Sequence, residues 1–304
     1  MKAFLGGKER QLDAIAMVLR IGLGLVFVIG GWNKLYQLLD PASSDAILAS
    51  YLGTTGYINQ FFTEYLFSGA LGHVMTPWGF LTTLSAFELI SGCMLVVGFI
   101  VRPLSIIWAL LLWSFIVSLP VVTTPGVTPT EATYTAPALF VQVRDVALSG
   151  LFFLLYNVGS GRFSVDERLN TGRPVYRDNI ATRWNELGLL LRVSLALPFL
   201  VAGFFHGLDN IQTFKLPAIV SVVLGLTILI GFQVRFFAAA LAIAMLYFIL
   251  QKINIDKSLI ANLNGFKREC GFLAASIILF HAGGGKYYTL DFDWLAKRFS
   301  NANV

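Results

Sequence analysis

The 304-residue chain is 56% hydrophobic, only 13% of its residues are charged, and its mean hydropathy is +0.72. A soluble domain of this size could not bury that much apolar surface, so the composition excludes an ordinary soluble enzyme and predicts an integral membrane protein. Two cysteines in separate apolar runs exclude a disulfide framework, and no C-x-x-C-H or Cys/His zinc spacing is present. We therefore expect no metal, no haem and no nucleic-acid partner.

Eight apolar runs follow one another along the chain, several of them close to the minimum of about 17–20 residues that a membrane span needs. The runs cover residues 14–38, 79–101, 103–122, 138–158, 187–206, 217–233, 236–251 and 269–283. They predict an all-α integral membrane protein with eight transmembrane helices. No A-x-A-like cleavage site ends a short apolar region near the N-terminus, so we interpret the first run as an uncleaved span.

The lysines and arginines between the runs indicate the orientation of the chain. With the N-terminus inside, thirteen of them lie on the inner side and seven on the outer side. The positive-inside rule therefore predicts that both termini are cytoplasmic. The outer loop 39–78 should form one or two short surface helices, and the Thr- and Pro-rich loop 120–137 an extended cap.

The two halves of the sequence resemble each other in the same order. The matching segments are 19–34 with 191–206, 97–102 with 230–235, and 143–162 with 267–286. This predicts a duplicated four-helix unit whose copies are related by a pseudo-two-fold axis along the membrane normal. The predicted organisation is a first unit at 1–170, a basic cytoplasmic linker at 171–186, and a second unit at 187–304.

The alignment pairs the polar residues of the two halves. The pairs are Lys34 with His206, Arg102 with Arg235, Arg144 with Arg268, and Asp145 with Glu269. Glu88, fourteen residues before Arg102, has Ser221 as its counterpart. The intramembrane carboxylate therefore occurs only in the first half, where we expect any working pocket to lie.

Glu88, Arg144 and Asp145 form the first candidate site, because a carboxylate inside a membrane span is costly and usually functional. They could relay protons or bind a quinone carbonyl, or they could form a structural salt bridge between two spans. Lys34 and His206 could bind an anion or lie at the membrane interface. Both pairs of alternatives remain open from the residues alone.

Three motifs together resemble the DoxX/DoxD family. They are L-R-x-x-L-G-x-x-F-x-x-x-G-x-x-K at 19–34, P-W-G-F-L…F-E-L-x-x-G-x-x-L-x-x-G-F-x-x-R-P at 77–103, and R-D-x-A-L…G-x-x-S-x-D at 144–166. The resemblance covers the first half well and the second half more loosely. It departs from the family in the apparent presence of two four-helix units, since an ordinary member has one.

The resemblance implies a quinone-linked oxidoreductase subunit of the thiosulfate:quinone oxidoreductase type. Electrons would pass from an outer-face donor, such as thiosulfate, to quinone. Glu88, Arg144 and Asp145 would be catalytic, and the anion or quinone would be bound by Lys34, His206, Arg268 and Glu269. The expected partners are membrane lipids, quinone and further redox subunits. The alternatives are a non-catalytic accessory subunit and a small-solute transporter.

Overall fold

The computed structural model describes residues 8–52, 60–117, 137–169, 180–204 and 216–290, and within these ranges the regular structure is entirely α-helical. The helices are α1 (Lys8–Leu39), α2 (Ser44–Leu52), α3 (Gln60–Tyr65), α4 (Gly69–Gly72), α5 (Pro77–Val97), α6 (Val101–Val117), α7 (Pro137–Val158), α8 (Val165–Leu169), α9 (Ile180–Phe204), α10 (Ala218–Leu229), α11 (Val234–Lys252) and α12 (Leu259–Ala282).

Four of these helices are long and apolar enough to cross a membrane. The qualifying segments are Gln11–Leu39, Pro77–Val97, Arg183–Phe204 and Val234–Lys252. The all-α membrane class predicted from the sequence is therefore confirmed. Helices α6 and α10 are apolar but shorter, so the full count of eight spans and the side of the termini stay predictions.

Local sequence explains where α5 begins and ends. The Thr76 hydroxyl accepts a hydrogen bond of 3.0 Å from the Gly79 N–H, and Pro77 occupies the first helical position, where a missing N–H costs nothing. Gly98 ends the helix in the left-handed conformation, with φ of 79°. The helix therefore stops short of residue 101, where the apolar run ends.

The loops agree in part with the expectations. Three short helices, α2, α3 and α4, lie in the loop 39–78. Helix α9 begins at Ile180, inside the predicted linker 171–186. Residues 118–136 and 171–179 lie outside the described part of the chain, and so do the Thr- and Pro-rich cap and most of the linker.

The long helices pack in an interleaved order. Helix α1 packs along α5 and α12, and helix α9 packs along α10 and α7. The last long helix of each half therefore contacts the first helix of the other half more extensively than that of its own. Small residues permit this close approach, since Gly22 faces Ala274 and Gly150 faces Ser194.

Equivalent hydrogen bonds occur in the two halves. The Arg20 guanidinium donates to the Val96 and Phe163 carbonyls, and the Arg192 guanidinium donates to the Leu229 and Tyr287 carbonyls. All three positions of one set align with those of the other. Both arginines are buried. Each satisfies one carbonyl in the last turn of a helix, which has no partner within the helix, and one carbonyl in a segment that follows a helix.

Candidate functional site

A cavity of about 120 Å³ lies between the helices of the first half and α12 of the second half. Its polar lining residues are Lys34, Tyr51, Glu88, Asp145, Lys267 and Arg268, and its apolar lining residues are Val26, Phe27, Phe80, Leu81, Leu84, Leu112 and Leu148, with Gly30 between them. Two of the three cations therefore come from the second half.

Lys34 on α1 and Glu88 on α5 form a buried ion pair at this cavity. Only 9% of Lys34 and 6% of Glu88 is exposed. Removing one partner of such a pair leaves the other charge buried without compensation. The partner of the intramembrane carboxylate is thus Lys34, which the sequence had suggested as an anion-binding residue.

Asp145 on α7 pairs with Arg268 on α12, also at the cavity wall. Arg268 Nε lies 2.9 Å from Asp145 Oδ1, and its Nη2 lies 3.4 Å from Oδ2. Two parallel contacts of this kind fix the orientation of both side chains. The pair connects the two halves of the chain.

Arg144 and Glu269 form a second connection between the halves, away from the cavity lining. Arg144 Nη1 lies 3.3 Å from Glu269 Oε1, and Lys252 Nζ lies 2.7 Å from the same oxygen. Arg144 is not among the residues that line the cavity, whereas its neighbour Asp145 is. Glu88, Asp145 and Arg144 therefore belong to three separate ion-pair groups, and only the groups of Glu88 and Asp145 line the cavity.

Lys267 is a cavity residue that the sequence reasoning missed. Its Nζ donates a hydrogen bond of 2.7 Å to Asn264 Oδ1. The signal was present in the internal alignment, where Lys267 stands opposite Val143 and is thus an additional cation of the second half. Lys267 shares this feature with Glu88, whose counterpart Ser221 is also uncharged.

Gly30 keeps space open beside these charged groups. A Cβ atom at this position would lie 3.3 Å from Lys267 Nζ and 3.4 Å from Glu88 Oε2. Even an alanine would therefore be tightly packed against both groups. The glycine therefore lets the Lys267 amine and the Glu88 carboxylate approach the backbone of α1 at the cavity.

Aromatic rings also border the cavity. Phe27 lines it and stacks on Trp108 with the ring centroids 3.6 Å apart. The Trp108 indole is fully buried, and its Nε1 donates a hydrogen bond of 3.0 Å to Ser91 Oγ. The cavity therefore combines a fixed apolar surface with buried charges, a combination that suits a ligand with apolar and polar parts.

His206, the remaining predicted site residue, lies outside the described residues. Within the described ranges, no group of three or more His, Cys, Asp or Glu side chains lies close enough together to hold a metal ion. The described polar groups at the cavity are amine, carboxylate, guanidinium and phenol groups.

Comparison with known proteins supports the resemblance of the first half. The DoxX family model matches residues 15–120, a range that contains both Lys34 and Glu88. No curated protein and no solved structure matches the chain. The match ends before the second half, so the duplication stays a prediction. The chain is a membrane protein in which residues 15–120 are similar to the DoxX family.

Proposed function

We propose that this chain is the membrane subunit of a quinone-linked oxidoreductase and that the cavity receives the quinone head group. The main observation in support of this proposal is the buried Lys34–Glu88 ion pair, which lines a cavity that aromatic rings also border. Quinone reduction needs an apolar surface for the ring and proton-transfer groups near the ring oxygens. The described cavity offers both.

The size of the cavity limits what can enter it. Its volume of about 120 Å³ is well below the roughly 300–1,000 Å³ of pockets that enclose whole drug-sized ligands. A ring head group would therefore occupy the cavity, with its apolar tail outside among the helices or the lipid.

The proposed reaction adds two electrons and two protons to the quinone and yields the quinol. Two thiosulfate ions joined as tetrathionate would release the two electrons, which a redox-active partner subunit would carry to the quinone. Lys34 would deliver one proton to a ring oxygen and regain it from water. The Glu88 carboxylate would take up the second proton from water and pass it to the other ring oxygen. Arg268 would hold Asp145 in place at the cavity wall.

The proposed setting is the cytoplasmic membrane of a prokaryote, with eight spans, both termini cytoplasmic and two copies of a four-helix unit. The hydropathy of the eight runs and the loop charges support the spans and the orientation. The equivalent hydrogen bonds of Arg20 and Arg192 support the duplication. The equivalent packing of α1 with α5 and of α9 with α10 supports it too.

A non-catalytic accessory subunit is the second candidate. The observation in its favour is that Arg144, Glu269 and Lys252 form an ion-pair cluster outside the cavity lining. Buried charge in this chain therefore also has a structural use, which Lys34 and Glu88 could share. Partner subunits would then carry all the redox chemistry, and no quinone would bind to this chain.

Quinol formation in membranes tests the proposed function. Membranes that contain the chain with its native partners would receive thiosulfate, and extracted quinol would be quantified for the wild type and for Glu88→Gln. We expect thiosulfate-dependent quinol formation to fall about 100-fold or more in Glu88→Gln, since a proton-transfer group of this kind contributes roughly 10²–10⁴-fold.

Glu186→Gln is the matched control, because the Glu186 side chain is 54% exposed on α9 and pairs only with the neighbouring Arg183. It should keep wild-type activity. Equal quinol formation in Glu88→Gln and the wild type, with the same amount of folded protein in both membranes, would contradict the proposal. It would favour the accessory subunit.

A further inference from the structure

We propose that the cavity binds a singly charged anion and that Lys267, supplied by the second half of the chain, holds its charge. This deepens the proposed function, on which it rests, by assigning the charge of the species that the same cavity stabilises. The argument combines the charge balance of the cavity, the space beside Gly30 and the corresponding positions of the other half.

The charged lining is unbalanced by one cation. Three cations (Lys34, Lys267 and Arg268) face two carboxylates (Glu88 and Asp145). Lys34 pairs with Glu88, and Arg268 pairs with Asp145. Among the described residues, no carboxylate lies within ion-pair distance of Lys267, whose amine donates to a neutral amide. One negative charge on the ligand would balance the cavity.

The space for this charge lies next to the Lys267 amine. A Cβ atom on Gly30 would lie 3.3 Å from Lys267 Nζ and 3.4 Å from Glu88 Oε2, so the amine and the carboxylate lie close together beside Gly30. All three residues line the same cavity. A ligand oxygen in the cavity could accept a hydrogen bond from the lysine and lie near the carboxylate, with which it could exchange a proton.

The corresponding positions in the other half show that the fold does not require these residues. Gly30, Glu88 and Lys267 align with Ala202, Ser221 and Val143. Each counterpart lacks the space or the charge, and the Ser221 hydroxyl is buried without a hydrogen-bond partner within the described structure. The same helix packing is thus built without a lysine or a glutamate, so Lys267 is not needed to hold the helices together.

Two sources could supply the negatively charged oxygen. One is the quinol of the proposed reaction after loss of one proton, and the other is a free small anion. Both would place one charged oxygen at Lys267, so the experiment uses sodium nitrate and a short-tailed quinone as separate probes. Sodium sulfate at the same ionic strength tests a doubly charged anion, whose second negative charge would have no excess cation to pair with in the cavity.

Isothermal titration calorimetry on the full chain in detergent tests the proposal. We expect nitrate to bind the wild type more tightly than sulfate and to compete with the quinone. Lys267→Gln should weaken nitrate binding about tenfold or more, as expected for losing a hydrogen bond to a charged group. Lys257→Gln is the matched control, because Lys257 is exposed and lies outside the cavity.

Two further variants guard against simple misfolding. Lys267→Arg keeps the charge and should keep nitrate binding, whereas Gly30→Ala fills the space and should weaken it. Failure of nitrate to bind the wild type, or equal binding to Lys267→Gln, would overturn the inference. Quinone binding without nitrate binding would overturn this inference alone. Nitrate binding that depends on Lys267, without quinone binding, would overturn the proposed function alone.

Discussion

The two halves of the molecule agree in the contacts that join helices and differ in the residues that line the cavity. Arg20 and Arg192 make equivalent hydrogen bonds to helix-end carbonyls. By contrast, the cavity residue Glu88 aligns with Ser221, which carries no charge. Helix packing tolerates little change at its buried polar contacts. The comparison therefore distinguishes polar contacts that occur in both halves from charged groups that occur in one half only.

A second equivalent contact supports this division. The Asp13 carboxylate accepts a hydrogen bond of 2.8 Å from the Arg162 backbone N–H, and the Asn185 side chain accepts one of 2.9 Å from the Lys286 N–H. Asp13 aligns with Asn185, which is neutral, yet both side chains accept the same hydrogen bond. At these positions the geometry of the acceptor matters more than its charge.

The largest expected effect comes from removing the equivalent arginines. Arg192→Ala leaves carbonyls of three segments without a partner, because the guanidinium donates to Leu229, Gly284 and Tyr287. Each unsatisfied buried carbonyl costs about 1–3 kcal/mol, so we expect a loss of at least ~3 kcal/mol of unfolding free energy. Thermal unfolding in detergent measures it.

Arg20→Ala should destabilise the protein by a similar amount, since Arg20 makes the equivalent contacts. The exposed Arg183, whose side chain is 46% accessible, supplies the control Arg183→Ala, which should leave the unfolding temperature nearly unchanged. A large loss of stability for one buried arginine and none for the other would contradict the equivalence of the halves.

An intermediate effect is expected at the equivalent glycines of α1 and α9. A Cβ on Gly31 would lie 2.7 Å from the Ser85 carbonyl oxygen, and one on Gly203 would lie 3.0 Å from the Ala218 oxygen. Backbone atoms cannot give way cheaply, so Gly31→Ala and Gly203→Ala should each cost about 1–3 kcal/mol. Denaturant titration followed by circular dichroism measures the loss.

Gly265→Ala is the control for the glycine variants, because a Cβ there meets no atom within 4 Å. It should be neutral or slightly stabilising, since alanine is the better helix former. If all three alanine variants behaved alike, the close approach of α1 to α5 and of α9 to α10 would be refuted.

The smallest effect is expected at Ser221, the counterpart of Glu88. Its buried hydroxyl has no hydrogen-bond partner in the described structure. Ser221→Ala should therefore change the unfolding free energy by no more than about 1 kcal/mol, toward higher stability, and should leave quinol formation unchanged. A loss of activity in Ser221→Ala, assayed in membranes, would place function in the second half as well.

The sequence predicted the helices because they depend on local patterns, and the prediction that Glu88 is a site residue depends on a local pattern too. Apolar run lengths determine the helices, and a single carboxylate in such a run stands out in any membrane protein. The DoxX match over residues 15–120 confirms the resemblance found from the motifs. The internal alignment also identified the residues Arg144, Asp145, Arg268 and Glu269 that join the halves.

The partners of these residues could not be predicted, because they depend on how distant helices pack. Lys34 and Glu88 are 54 residues apart, and Asp145 pairs with Arg268 across 123 positions. Arg144 and Asp145 are adjacent in the sequence, but their ion-pair partners differ, and only the structure shows which of the two lines the cavity. Lys267, like Glu88, has no charged counterpart in the internal alignment, which is the signal for Lys267 that the sequence contains.

The most direct measurement of the central claim is the amount of quinone bound to purified protein, for the wild type and for Gly30→Leu. Gly30 borders the space between Lys267 Nζ and Glu88 Oε2, so a leucine would fill the proposed site. We predict about one quinone per chain in the wild type and in Ser221→Ala, and none in folded Gly30→Leu. Equal quinone content in all three proteins would show that the cavity is not the quinone site.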